Sequence, residues 1–143
     1  MDRQIFESKY WEVTLSGDQL YLGRSYVTCK TKRTSLSELS EEEFFDLHGV
    51  IKKYESLLKK TFGATLFNWA CLMNHAYREK PYTPQVHFHV RPRYEEEVVI
   101  GRRVFKDKNF GNHYSLQDTM ADRVPEETFS EILNTLKFNL QSL

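Results

Sequence analysis

The run Leu-Ser-Glu-Glu-Glu-Phe at 39–44 sets one boundary of the fold more firmly than any other stretch of this 143-residue chain. A serine three residues before a glutamate predicts a capping box. The Ser40 hydroxyl accepts from the Glu43 amide, and the Glu43 carboxylate reaches back to the Ser40 amide. Leu39 and Phe44 stand at the two positions of a hydrophobic staple. Phe44, Leu47, Ile51, Tyr54 and Leu58 recur at helical spacing, so residues 41 to about 61 read as one amphipathic helix. Gly63 lies just beyond, where a C-terminal stop belongs. Such a helix must lay its apolar stripe on another layer.

The flanking stretches supply strands for that layer. Residues 10–15 read as a strand, 16–18 as a turn, and 20–29 as a second strand in which Gly23 marks a bulge or a close backbone approach. After the helix, 64–73 reads as a buried strand and 74–84 as a polar loop containing Arg78, Lys80 and two prolines. Residues 85–91 alternate polar and apolar. The chain closes on a helical segment, 125–141, with Pro125 in its first turn and a stripe of Phe129, Ile132, Leu133, Leu136 and Leu140. The order predicts an α+β fold: an antiparallel sheet, a long helix after the second strand, and a C-terminal helix. Length and the lack of internal repeats predict one domain over 1–143.

Composition narrows the function. Twenty basic residues balance twenty acidic ones, so bulk charge argues for neither duplex nucleic acid nor an anionic membrane, and any positive charge that meets an anion must be local. Cys29 and Cys71 lie in apolar surroundings without CxxC spacing and read as reduced thiols. No stretch approaches a membrane span and no apolar core follows the first residues, so a cytoplasmic location is expected.

The alternating strand carries the candidate chemistry. Gln85, His87, His89 and Arg91 fall on one face, with neighbours ~6.6 Å apart from the ~3.3 Å rise. Amide, imidazole and guanidinium groups all donate to phosphate oxygens, and a neutral imidazole is a nucleophile when its other nitrogen is held. Two other readings fit the same residues. The histidines are inert surface groups, or His87-x-His89 binds a metal with His75, His113, Cys71 or Asp107 completing the set.

The words around the strand weigh on that choice. Residues 83–94, Thr-Pro-Gln-Val-His-Phe-His-Val-Arg-Pro-Arg-Tyr, resemble the signature of the histidine triad family, three alternate histidines interleaved with apolar residues and often followed by Pro-Arg. Asn74, eleven residues before Gln85, stands where members carry a phosphate-contacting Asn or Gln, and 29–43 resembles the basic turn and following helix. The resemblance covers about residues 10–94. It implies a nucleotide-phosphate hydrolase or nucleotidyltransferase, a symmetric homodimer, and a covalent step that requires no metal, with Mg²⁺ an option for a polyphosphate substrate.

On this resemblance His87 is the nucleophile that attacks the α-phosphorus, and His89 contacts the phosphate and assists proton transfer. Gln85 matches the first triad histidine. An amide there still donates to phosphate but does not exchange a proton usefully, so Gln85 reads as a weakened acid–base position. Lys32 replaces another histidine common in the family. Asn74, Arg91, Arg78 and Lys80 are the expected substrate-binding groups. The alternative is a nucleotide-binding sensor or scaffold with little turnover because of Gln85. Further candidates are Tyr77 and Tyr82 against a base, Ser16 or Asp18 on a ribose, and Ile5, Phe6, Trp11, Leu15 and Tyr21 in a base pocket or the core. Arg93 reads as an ion-pair or ligand residue, and 105–114 as a segment that closes over the substrate.

Overall fold

The computed structural model describes residues 2–116 and 123–143. Three strands, β1 (Gln4–Glu7), β2 (Trp11–Leu15) and β3 (Ser25–Cys29), precede the long helix α1 (Glu41–Phe62). Strands β4 (Leu66–Ala70) and β5 (His87–Arg93), a hairpin of β6 (Val98–Ile100) and β7 (Arg103–Phe105), and the helix α2 (Glu126–Leu140) follow. The five-stranded sheet has the order β1-β2-β3-β5-β4, with every neighbouring pair antiparallel. Both helices pack together, α1 also meeting β2 and α2 meeting β1. This is the α+β arrangement expected from the sequence.

The start of α1 follows the capping prediction. Ser40 Oγ accepts from the Glu43 amide at 3.1 Å, and Glu43 Oε1 accepts from the Ser40 amide at 2.7 Å. Glu43 is itself buried, and its carboxylate also takes the Arg33 Nε–H at 3.0 Å and the Cys29 thiol at 3.3 Å. Burial, and then the bond to Glu43, push the Cys29 thiol up to about 11. The staple is only half formed. Leu39 is buried, but Phe44 stays about half exposed. The buried stripe is Glu43, Leu47, Val50, Tyr54, Leu57, Leu58 and Phe62, rotated from the predicted one because the buried Glu43 replaces Phe44 on the inner face. Gly63 ends the helix at φ +74, the left-handed conformation glycine adopts freely.

Against this stripe the sheet presents Trp11, Val13, Leu15, Val27 and Val90, all at 0% exposure. Fully burying each such side chain stabilises by roughly 1.5–3 kcal/mol. Trp11 also donates Nε1–H to the Glu43 carbonyl at 2.8 Å, which ties β2 to α1.

Several boundaries differ from the sequence reading. The chain also pairs at 4–7, a strand that the sequence pattern does not predict, and there Ile5 and Phe6 are both buried. Residues 20–24 turn before β3 begins. Gly23 there has φ +87, and a Cβ would sit 2.6 Å from Leu58 Cδ2, a close approach of the kind its position suggested. Residues 98–105 form a hairpin in a stretch with no clear pattern. The signature strand runs 87–93 rather than 85–91, since Gln85 is held outside the ladder. No helix among the described residues is long and apolar enough to cross a membrane.

Candidate functional site

The period-2 geometry of β5 sorts its side chains. Phe88 turns inward between the rings of Trp11 and Trp69, and Val90 is fully buried. His87, His89 and Arg91 therefore share the outer face. The register sets Thr28 opposite His87 and Tyr26 opposite His89 on β3, and Ala70 opposite His89 and Asn68 opposite Arg91 on β4.

The two imidazoles touch. His87 Nε2 and His89 Nε2 lie 3.2 Å apart, and His87 Nδ1 lies 2.8 Å from the Gln85 carbonyl oxygen. A carbonyl only accepts, so Nδ1 of His87 carries the proton. In the neutral ring Nε2 is then a lone pair, and His89 Nε2–H is the donor to it. Burial holds His89 down to about 4, aided by the charges of His87, Arg91 and Arg24, while the Leu72 carbonyl acts in the opposite direction. His89 is thus neutral at pH 7. Its Nδ1 is buried without a well-formed hydrogen bond. The Tyr26 ring stands edge-on to His89 at 5.3 Å and tilted to His87 at 6.4 Å.

Gln85 does not join this row. Its amide nitrogen donates to the carbonyls of Cys29 (2.7 Å) and Thr31 (2.9 Å), and its amide oxygen accepts from the Arg33 N–H (3.2 Å). The side chain clamps the 29–33 turn, while its own carbonyl holds His87. Val86 closes the clamp, its N–H on the Arg33 carbonyl at 2.8 Å.

Arg91 is buried, with its guanidinium 4.2 Å from the centre of the Tyr114 ring. Arg93 is structural. It makes a bidentate pair with Asp107 (2.7 and 3.1 Å) and donates to Asn68 Oδ1 and the Asn112 carbonyl, at about 2% exposure. With Tyr21, whose hydroxyl accepts from Asn109 Nδ2 and the Ser115 N–H, it fixes residues 105–115 across the outer face. A cleft of ≈ 660 Å³ opens between Leu66, Phe67, Asn68 and Trp69 on one side and Gly111, Asn112, His113 and Tyr114 on the other, and neither His87 nor His89 lines it.

The remaining candidates are scattered. Asn74 begins a short 3-10 turn, Asn74–Tyr77, and is exposed, as are Arg78, Lys80 and Lys32. Lys80 lies over the Tyr82 ring, which packs on Tyr77 at 5.1 Å. Ile5, Phe6, Trp11, Leu15 and Tyr21 are core residues, and Asp18 pairs with Arg24 at 2.5 Å. Among the described residues no three His, Cys, Asp or Glu side chains are grouped to hold a metal. Tyr26 and Arg24 escaped the sequence reading, although the alternation of β3 puts them beside the β5 row. Only the pairing of β3 with β5 reveals that.

No family model matches the sequence, and no curated protein matches it. Solved structures do. A hypothetical histidine triad nucleotide-binding protein from Sulfolobus tokodaii superposes with TM-score 0.68 at 15% identity, over 100% of this chain and 86% of that one. A Zn-bound histidine triad family protein from Mycobacterium smegmatis gives 0.65 at 19%, over 99% and 86%. The Plasmodium falciparum diadenosine triphosphate hydrolase gives 0.63 at 17%, over 98% and 77%. The chain carries the fold that these histidine triad proteins share.

Proposed function

We propose that this chain is a nucleotide-phosphate hydrolase or nucleotidyltransferase that works through a nucleotidyl-histidine on His87. The observation that carries the reading is the bond from His87 Nδ1–H to the Gln85 carbonyl, which leaves Nε2 as a lone pair on the open face. That lone pair attacks the α-phosphorus. An N–P bond forms as the bond to the leaving group breaks, and the departing electron pair takes a proton from solvent. The His87 ring becomes cationic, with its charge met by the same carbonyl. Water or another acceptor then attacks phosphorus and gives up its proton to solvent as the N–P bond breaks and neutral imidazole returns.

His89 acts as a neutral donor. Its Nε2–H, directed at His87 in the free protein, turns to a phosphoryl oxygen when substrate arrives. A ring held near 4 carries no extra proton to release at pH 7, so His89 works as a neutral donor rather than as a general acid. Gln85 positions the nucleophile, Asn74 and Arg91 hold phosphates, and Arg78 and Lys80 add positive field from the exposed loop. The homodimer belongs to the same proposal. It is supported by β4 lying at the sheet edge, with Leu66 and Leu72 substantially exposed beside it.

His87→Asn tests the reading: turnover of a dinucleoside polyphosphate or nucleoside phosphoramidate should vanish while nucleotide affinity stays within a few-fold. Retained turnover would remove the covalent mechanism. Wild-type protein that binds nucleotide but turns over none of these substrates would favour a sensor.

A further inference from the structure

Beyond the histidine pair the outer face holds a second positive cluster. Arg91 follows His89 by one strand repeat, ~6.6 Å. Ser25 pairs with Val90, so Arg24, the residue before β3, stands beside Arg91. Arg24 Nη1 donates to Asp18 Oδ2 at 2.5 Å, yet its Nε is buried without a hydrogen bond. Arg91 Nη1 is likewise buried without one, in a side chain only 6% exposed. The groups around Arg91 are Tyr114, Tyr26, Arg24 and Asp18, and burial first, then the Arg24 charge, work against its own charge. Arg24 thus pairs with the Asp18 carboxylate, while Arg91 feels that charge without an ion pair to it, beside a neutral histidine. A buried cation left short of partners is costly, and each missing N–H bond adds to that cost.

We propose that Arg24 and Arg91 form an anion subsite, distinct from the His87–His89 pair, that takes a phosphoryl group. Two neighbouring guanidinium groups, each with a buried N–H lacking a partner, suit a tetrahedral oxyanion, and Tyr114 covers one face of the Arg91 guanidinium. Arg91 lies two repeats, ~13 Å along the strand, from His87, a gap that its long side chain and the phosphate chain of a substrate reacting at His87 Nε2 span together. A free phosphate ion has the same chemistry. The inference rests on the preceding reading only for the substrate that delivers the group.

The test is equilibrium binding by calorimetry, with melting curves alongside. Inorganic phosphate, adenosine 5′-monophosphate and adenosine 5′-diphosphate are titrated into wild type, Arg91→Met, Arg24→Gln and His87→Asn. Phosphate should bind wild type and His87→Asn alike and weaken at least tenfold in both arginine variants. Arg91→Met should melt at or above wild type in phosphate-free buffer, because an under-partnered buried charge is gone. A loss concentrated on the diphosphate identifies the subsite with the substrate's own second phosphate. Phosphate binding together with the monophosphate identifies a free ion. No phosphate binding by wild type, unchanged affinity in the arginine variants, or an Arg91→Met protein that melts well below wild type would overturn the proposal. Turnover surviving in His87→Asn would sink the covalent mechanism and leave the subsite standing.

Discussion

Gln85→His separates two views of this position. Its amide makes three hydrogen bonds, two as donor to Cys29 and Thr31 and one as acceptor from Arg33. A neutral imidazole offers one donor and one acceptor, so at least one carbonyl loses its partner. One lost bond costs about 1 kcal/mol, which for a domain of this size lowers Tm by roughly 3–5 °C. The clamp also carries the carbonyl that orients His87. Displacing it should slow turnover between ~10- and ~100-fold, the scale on which small misplacements of a reacting group act. No new titration near neutrality should appear, because the imidazole faces backbone rather than substrate. Steady-state rates between about pH 5.5 and 8.5, with melting curves in parallel, are the assay. A Gln85→His protein that is faster than wild type and gains a neutral-range pH dependence would refute the clamp. It would make position 85 an acid–base site.

Other consequences follow from the same geometry. His89 is held near 4 in the fold against about 6.5 in an unfolded chain. Between those pH values the unfolded chain binds the extra proton, so this group's effect is nil above about 6.5 and lowers stability as pH falls toward 4. Allowing for solvent screening at a partly exposed ring, the loss is about 1–2 kcal/mol. His89→Asn should therefore show less acid destabilisation than wild type in denaturant melts at pH 7 and pH 5, and an identical pH response in both proteins would contradict the buried neutral ring. Arg93→Met strands the Asp107 carboxylate and removes four hydrogen bonds that fix the 105–115 segment. A loss of about 3–5 kcal/mol in urea unfolding is expected, and a loss below 1 kcal/mol would show that the pair is dispensable.

What could be read from the sequence was what local chemistry determines. The capping box at Ser40 and Glu43, the stop at Gly63 and the α2 stripe depend on neighbours a few residues away, and each took its expected form. The side-chain alternation of β5 was equally local. Long-range pairing was not legible. The same residues that make Gln85 look like a member of the polar row leave its amide free to bond the 29–33 turn, more than fifty positions earlier in the chain. Arg24 and Arg91 are separated in sequence by β3, α1 and β4, and only the β3–β5 register makes them neighbours. The rotation of the α1 stripe has a similar origin, since a buried glutamate is tolerable only with the Arg33 and Cys29 partners that the fold supplies.

The central claim is that His87 Nε2 becomes bonded to phosphorus. Wild-type protein mixed with a mass-tagged nucleoside phosphoramidate or dinucleoside polyphosphate, quenched within the first turnover and digested, would be mapped by peptide mass spectrometry. The account predicts one nucleotidyl adduct, on His87, acid-labile and absent from His87→Asn. An adduct on His89, or measurable turnover without any adduct at early times, would contradict it.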